Sequence, residues 1–259
     1  MRLDLASVLL QWAAGGLFFC WVTTRRRAVG VGYGWLVRSV FAAVAVGGVA
    51  AGVVASDAGT ATAIRDVAGA VMAAAALLSL GVSAVRRKAG VTGPGSYPPL
   101  LDLAAPIAGL VAVLAAAVHV GGDEWLTAAR LVVGAAFLGC VTDAMLLGHW
   151  YLVQPGLSRE PIQELVRYGL WITPAEILIM LVSPGMIDVL NGTIDDGWGG
   201  LIGWMWVVAG ISTLGLLFAS RAALKEPYYS AVMATTGLLY LAILTAFGTD
   251  VMARAAFGP

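Results

Sequence analysis

Two carboxylates stand inside long apolar runs, which makes them the side chains of this sequence best placed to do chemistry. Asp143 lies in the run 125–152 and Glu176 in the run 166–184. An ionisable group at the centre of a membrane helix costs at least about 2.5–3.5 kcal/mol, so it is a candidate functional group by default. Asp143 stands nine residues before the end of its run and Glu176 ten residues into its own. At 1.5 Å per residue these are depths of about 13 and 15 Å. The spacing predicts two carboxylates at similar depth on consecutive helices. Such a pair, if close, would share one proton and serve as a proton relay or a cation site. Ala136, Gly139 and Cys140 precede Asp143 on its own helix face, and small residues suit close helix packing. Asp143 is therefore expected to point into the bundle. Pro174, beside Thr173 and two residues before Glu176, removes a helical hydrogen bond near Leu170 and bends the chain. Thr173, Pro174 and Glu176 could then border a polar cavity. The alternative is a structural one, with both carboxyls hydrogen-bonded to neighbouring backbone or hydroxyls.

A second cluster is His149-Trp150-Tyr151, followed by Gln154-Pro155. Trp150 and Tyr151 suit the membrane interface, where amphipathic rings collect. His149 fits a purely anchoring role less well. It could bind a quinone headgroup, ligate a haem or relay protons, with Met145 on the same helix face as a candidate second ligand. His119 belongs to the opposite end of its own span, so the two histidines cannot hold one haem between them. Two histidines also exclude a His-rich metal site, and no metal site is expected. Arg38 and Arg130 each lie about one turn inside a span. They are expected to snorkel to the interface, the alternatives being an ion pair with an intramembrane carboxylate or an anion site.

Other features are weaker. Asp188, Asp195, Asp196 and Trp198 share one loop, 185–200, and are expected to be solvated charge. Asn191-Gly192-Thr193 matches the glycosylation acceptor pattern, a short match. Gly30-Val31-Gly32-Tyr33-Gly34 lacks the strand-loop-helix context of a phosphate-binding loop. No Ser-His-Asp, Cys-His or HExxH arrangement is visible. Cys20 and Cys140 sit inside apolar runs and read as small buried side chains.

The elements that must position these residues follow from composition. Of 259 residues, 60% are hydrophobic and 12% charged, with zero net charge, and the mean hydropathy is +0.89. A soluble domain is about a quarter charged. Lipid as the solvent explains the difference, and nothing points to nucleic acid. Continuous apolar runs, rather than alternation, indicate helices and not a barrel. Eight runs are long enough to span: 5–23, 35–55, 67–85, 101–120, 125–152, 166–184, 201–220 and 229–249. The fold class is thus all-α, a polytopic transmembrane helix bundle of about eight spans. The connectors are too short for a soluble domain, so residues 1–259 are read as one integral membrane domain.

Cytoplasmic loops collect Lys and Arg. Ten of the fifteen basic residues fall on one side: Arg25, Arg26, Arg27, Arg86, Arg87, Lys88, Arg159, Arg167, Arg221 and Lys225. The other side carries Asp4, Asp57, Asp66, Asp123, Glu124, Asp188, Asp195, Asp196 and Asp250, with Arg2, Arg65 and Arg254. The alternation predicts both termini on the outer side of a bacterial-type cytoplasmic membrane. The first run reads as an uncleaved anchor, because its arginines follow the apolar stretch instead of preceding it.

Short matches suggest a 4+4 tandem duplication with halves 1–122 and 123–259. Cys20 and Val22-Thr23 align with Cys140 and Val141-Thr142 if one residue is skipped. Leu80-Gly81 matches Leu214-Gly215. Tyr97-Pro98-Pro99 and Pro227-Tyr228-Tyr229 lead into the fourth and eighth spans.

Three functions are compatible with these residues. The first is a non-enzymatic membrane subunit or anchor beside a redox or respiratory partner, binding a quinone, a haem or only protein, with His149, Trp150, Tyr151 and Met145 at the contact. The second is a small proton-coupled transporter using Asp143 and Glu176. The third is an enzyme acting on lipid-phase substrates, ranked last because no catalytic constellation accompanies the carboxylates.

Overall fold

The computed structural model describes residues 4–55, 59–91, 99–120 and 123–257. Arg2, Asp57 and the Tyr97-Pro98 pair invoked above lie outside them. Among the described residues there are nine α-helices and no strand. They are α1 (Leu5–Thr24), α2 (Val31–Ala55), α3 (Thr60–Lys88), α4 (Ala104–Val120), α5 (Glu124–Val153), α6 (Glu160–Leu181), α7 (Met186–Leu190), α8 (Leu201–Ala223) and α9 (Tyr229–Phe257). A 3-10 turn, Leu101–Leu103, leads into α4.

Local chemistry fixes several starts. The Asp4 carboxylate accepts from the backbone N–H groups of Ala6 and Ser7 at the head of α1. Asp123 does the same for Trp125 and Leu126 at the head of α5. Each satisfies donors that the first helical turn leaves open. Arg86, Arg87 and Lys88 occupy the last turn of α3, where cations complement the helix dipole.

Seven helical segments are long and apolar enough to cross a membrane: α1, α2, α3, α4 with its preceding turn, α5, α8 and α9. The chain is an integral membrane helix bundle. The remaining expected span, 166–184, corresponds to α6, which is 22 residues long. It falls short in apolarity, because Glu160, Glu164, Arg167 and Glu176 all lie within it. It also ends at Leu181, short of the expected residue 184. Large apolar side chains such as Val54, Val67, Ile107, Trp171, Val208 and Leu244 face outward, as they do where lipid is the solvent.

The helices close into two rings. In the first, α1 packs on α2, α2 on α3, α3 on α4, and α4 back on α1. In the second, α5 packs on α6, α6 on α8, α8 on α9, and α9 back on α5. The rings meet where α1 and α4 pack on α5. Accordingly α1 and α5 are the most enclosed, with 72% of their apolar stretch buried against 33–39% for the other five. Small residues permit this approach. A Cβ on Gly15 would lie 1.7 Å from the Ala135 carbonyl oxygen, and one on Gly16 would meet the Phe41 ring at 2.0 Å.

Candidate functional site: buried polar clusters along the central helices

Two interior polar clusters adjoin the central helices α1 and α5. The first lies toward the Arg25 end of α1. Asp143, fully buried, accepts from the Thr23 hydroxyl at 2.6 Å and from the Tyr33 hydroxyl at 2.8 Å. The same Tyr33 hydroxyl lies 3.2 Å from the Asp143 backbone carbonyl. Three helices therefore converge on one carboxyl. Arg38 is close enough to act on Asp143 electrostatically, and it pairs with Asp102 through two hydrogen bonds, Nε to Oδ1 at 2.7 Å and NH2 to Oδ2. Arg38 is 3% exposed. It does not snorkel: the 3-10 turn before α4 brings Asp102 to it, which realises the ion-pair alternative.

The second cluster lies toward the Asp4 end. Arg254 of α9 donates from Nε to Asp250 at 2.7 Å, one helical turn away. Gln11 of α1 joins both, donating to Asp250 at 3.4 Å and accepting from Arg254. Gly134 of α5 makes room for the Gln11 amide, which a Cβ there would meet at 2.2 Å. Asp250 and Arg254 were expected at the outer surface. They are buried because α9 continues to Phe257, eight residues past the end of its apolar run.

Glu176 belongs with this second cluster. The charged groups near enough to act on it are Asp250, Arg254 and Arg130. It is fully buried, and neither carboxyl oxygen has a hydrogen-bond partner among the described residues. The other buried acids are all partnered: Asp102 by Arg38, Asp143 by Thr23 and Tyr33, Glu164 by Arg25, Arg26 and Tyr168, Asp196 by backbone amides, and Asp250 by Arg254.

Asp143 and Glu176 are not at matched depth. The Cys140 thiol donates to the Leu165 carbonyl at 3.3 Å, and Arg130 reaches the carbonyls of Ile179, Val182 and Pro184 at the far end of α6. From the Cys140–Leu165 level, Asp143 and Glu176 lie in opposite directions, about 20 Å apart along the bundle at 1.5 Å per residue. The expectation failed because the two helices do not start level. With Cys140 beside Leu165, α6 begins about two turns short of the end of α5.

The other sequence candidates are placed as follows. Thr173 is buried, and its hydroxyl donates to the Gly169 carbonyl. Pro174 lies within α6. Arg130, 4% exposed, is spent on its three carbonyl acceptors and stands over the Phe257 ring at 5.1 Å, so it too does not snorkel. His149 is exposed and pairs with Tyr240, its Nδ1 at 3.2 Å from the phenol oxygen. Trp150 donates to Gln154 at 3.2 Å and stands 6.1 Å from the Tyr33 ring. Tyr151 is buried and tied to the Ser158 and Tyr229 region. Met145 is half-buried against the main core. Cys20 and Cys140 are buried free thiols. No group of three or more His, Cys, Asp or Glu placed to hold a metal occurs among the described residues.

The loop acids are not all solvated charge. Asp196 accepts from the backbone N–H groups of Gly200, Trp198, Ile202 and Gly203, which caps the start of α8. Those donors, that of Gly200 foremost, hold its carboxyl below the usual carboxylate range.

An apolar cleft of about 340 Å³ opens between α1, α4 and α5, walled by Ala14, Gly15, Phe18, Pro106, Leu110 and Ala135, among others. His149 does not line it, so a hydrophobic cofactor seated there would not touch that side chain.

Sequence reading missed Gln11, Tyr33, Asp102, Asp250 and Arg254. Asp250 and Arg254 carried a signal, an acid and a base at i and i+4 on one helix. Asp102, beside Leu101 and Leu103, also carried one, as a lone acid within an apolar run. No protein-family model, curated protein or solved structure matches this chain.

Proposed function

We propose that the chain is a proton-coupled membrane transporter, with Glu176 as the group that takes up and releases the proton. The carrying observation is that Glu176 is the one buried acid without a partner among the described residues. A charged carboxylate deprived of donors in a low-dielectric interior is costly. A Glu176 that holds a proton, or meets a cation, avoids that cost. Its neighbours Asp250 and Arg254 are already paired with each other, so they supply field rather than hydrogen bonds. Asp143, about 20 Å along the bundle at 1.5 Å per residue, is a second proton-holding group toward the other face. The basic side, with Arg25, Arg86 and Arg221, is placed in the cytoplasm by the positive-inside rule.

The test is proton movement in liposomes holding the purified protein, read with an internal pH dye while candidate solutes are offered. Glu176→Gln is expected to insert and fold but to abolish solute-dependent proton flux. Unchanged flux in that variant removes Glu176 from the mechanism. Sidedness is checked with Ser158→Cys, which a membrane-impermeant maleimide should label only after the membrane is opened. Labelling of sealed cells would reverse the orientation.

We also infer a 4+4 duplication, supported by the same ring order in both halves and by the contact of α1 with α5. Superposition of the two rings in a cryo-electron-microscopy structure is the check. A best fit that does not lay α1 on α5 and α4 on α9 removes it.

A second function rests on one observation, the exposed His149–Tyr240 pair on the flank formed by α5 and α9. It is a membrane subunit beside a redox partner, with a quinone or haem carried at His149. Oxidised and reduced absorption spectra of the purified protein, with a quinone assay of an organic extract, decide it. A Soret band or a stoichiometric quinone lost in His149→Ala supports this function, and a clean spectrum with an empty extract counts against it.

A further inference from the structure

The rim of the bundle between α6 and α8 carries a pocket that the proton chemistry does not use. It is a concavity of about 220 Å³ lined by Gln163, Val166 and Arg167 of α6, Arg221 of α8, and Leu224 and Lys225 just after it. Three cations converge on it, from α6, from α8 and from the turn after α8. Among the described residues none of the three forms an ion pair. This sets them apart from Arg25 and Arg26 on the same rim, which both pair with Glu164. Glu226 follows Lys225 in sequence and forms no ion pair with it. Part of the cationic charge has a local reason, since Arg221 lies in the last turn of α8, where the dipole favours a cation. That does not account for Arg167, which enters from the first turns of α6.

The pocket is amphipathic. Val166 and Leu224 are buried beneath it, while the Gln163 amide is held to the Leu224 carbonyl at 3.3 Å. Immediately along the lipid-facing surface stand Trp171, one turn beyond Arg167, and Phe218, one turn before Arg221. Both are exposed, at 76% and 54%. Cations at the top, an apolar base and an aromatic lane into the hydrocarbon match a molecule with an anionic head and greasy tails. Basic pockets between helices at the membrane surface bind lipid headgroups by this chemistry.

We propose that the pocket formed by Arg167, Arg221 and Lys225 binds the phosphate of an anionic phospholipid, with the acyl chains lying along Trp171 and Phe218. Arginine suits the head because its planar donors grip phosphate oxygens in pairs.

The test is native mass spectrometry of the full-length detergent-solubilised protein, titrated with dioleoyl phosphatidylglycerol or dioleoyl phosphatidylcholine. The expected result is retention of phosphatidylglycerol and not of phosphatidylcholine. The variant Arg167→Gln/Arg221→Gln/Lys225→Gln should weaken retention about a hundredfold, at roughly fivefold for each cation near the membrane surface. The charge-matched variant Arg86→Gln/Arg87→Gln/Lys88→Gln, at the end of α3, should retain the lipid. Arg167→Lys/Arg221→Lys, which keeps the charge but loses the paired donors, should retain the lipid less than the natural chain and more than the glutamine variant. Equal loss in both triple variants overturns the proposal in favour of unspecific charge. Displacement of the lipid by millimolar inorganic phosphate, with phosphate itself retained, overturns it in favour of a soluble phosphate. Equal retention of the two lipids overturns it outright.

Discussion

Gly15 of α1 and Gly139 of α5 meet backbone to backbone: a Cβ on Gly139 would lie 2.1 Å from the Gly15 carbonyl carbon. No flexible side chain is available to yield there. Gly139→Ala is therefore expected to force the two central helices apart and to cost about 1–3 kcal/mol, as overpacking does. Thermal unfolding in detergent measures it. Gly237→Ala on α9, where a Cβ meets nothing within 4 Å, is the control and should be neutral or gain about 0.5–1 kcal/mol from helix propensity. Equal melting temperatures for Gly139→Ala and the natural chain would mean the seam is looser than described.

Tyr33 and Thr23 supply the Asp143 carboxyl with its two hydroxyl donors. Removing either leaves a buried acceptor short of a donor, at about 1–3 kcal/mol. Tyr33→Phe and Thr23→Val should each destabilise the protein. Tyr33→Phe should lose most of its effect in an Asp143→Leu background, a coupling of about 0.5–3 kcal/mol. Additive effects would dissolve the cluster as a unit.

The Arg38–Asp102 pair lies in the interior, with 3% and 5% side-chain exposure. Arg38→Met strands a buried charge and should cost about 3–5 kcal/mol. Arg38→Met/Asp102→Leu should recover most of that, because both costly groups are gone. Chemical unfolding of the three proteins gives the comparison, and a double variant no better than the single one would contradict it.

Acid should weaken the start of α8. Asp196 has its folded pKa lowered by the amides it caps, so its contribution is complete above the unfolded value of about 3.9 and is lost as pH falls through the folded value. The melting-temperature difference between the natural chain and Asp196→Ala should be constant above about pH 5 and shrink below about pH 3.9. A difference that grew on acidification would have the wrong sign.

The all-α class, seven of the eight expected spans and the inward face of Asp143 were legible because they depend on local information. A run of some 20 apolar residues has few options in lipid, and the small residues before Asp143 announced a packed face. Helix ends were less legible. Apolar runs end at the hydrocarbon boundary while hydrogen-bonded helix continues, so α3 begins at Thr60 rather than 67 and α9 ends at Phe257 rather than 249. These extra turns carry Arg65, Asp250 and Arg254 into the interior. Which carboxylate Arg38 pairs with, and the meeting of Gln11 with Arg254, are tertiary facts with no local signature. The level of α6 against α5 was likewise invisible, because the connector between them does not fix where the second helix starts.

The Gln11 amide has its partners 239 and 243 residues away, on Asp250 and Arg254, and Thr23 finds Asp143 120 residues on. Synthesis runs from the N-terminus, so α1, one of the two most enclosed helices, is made before the helices that satisfy its polar groups. Until α9 arrives, Gln11 has neither of these partners. α9 acts as a clasp on α1, and a chain stopped before Asp250 would leave Gln11 without either partner in the interior.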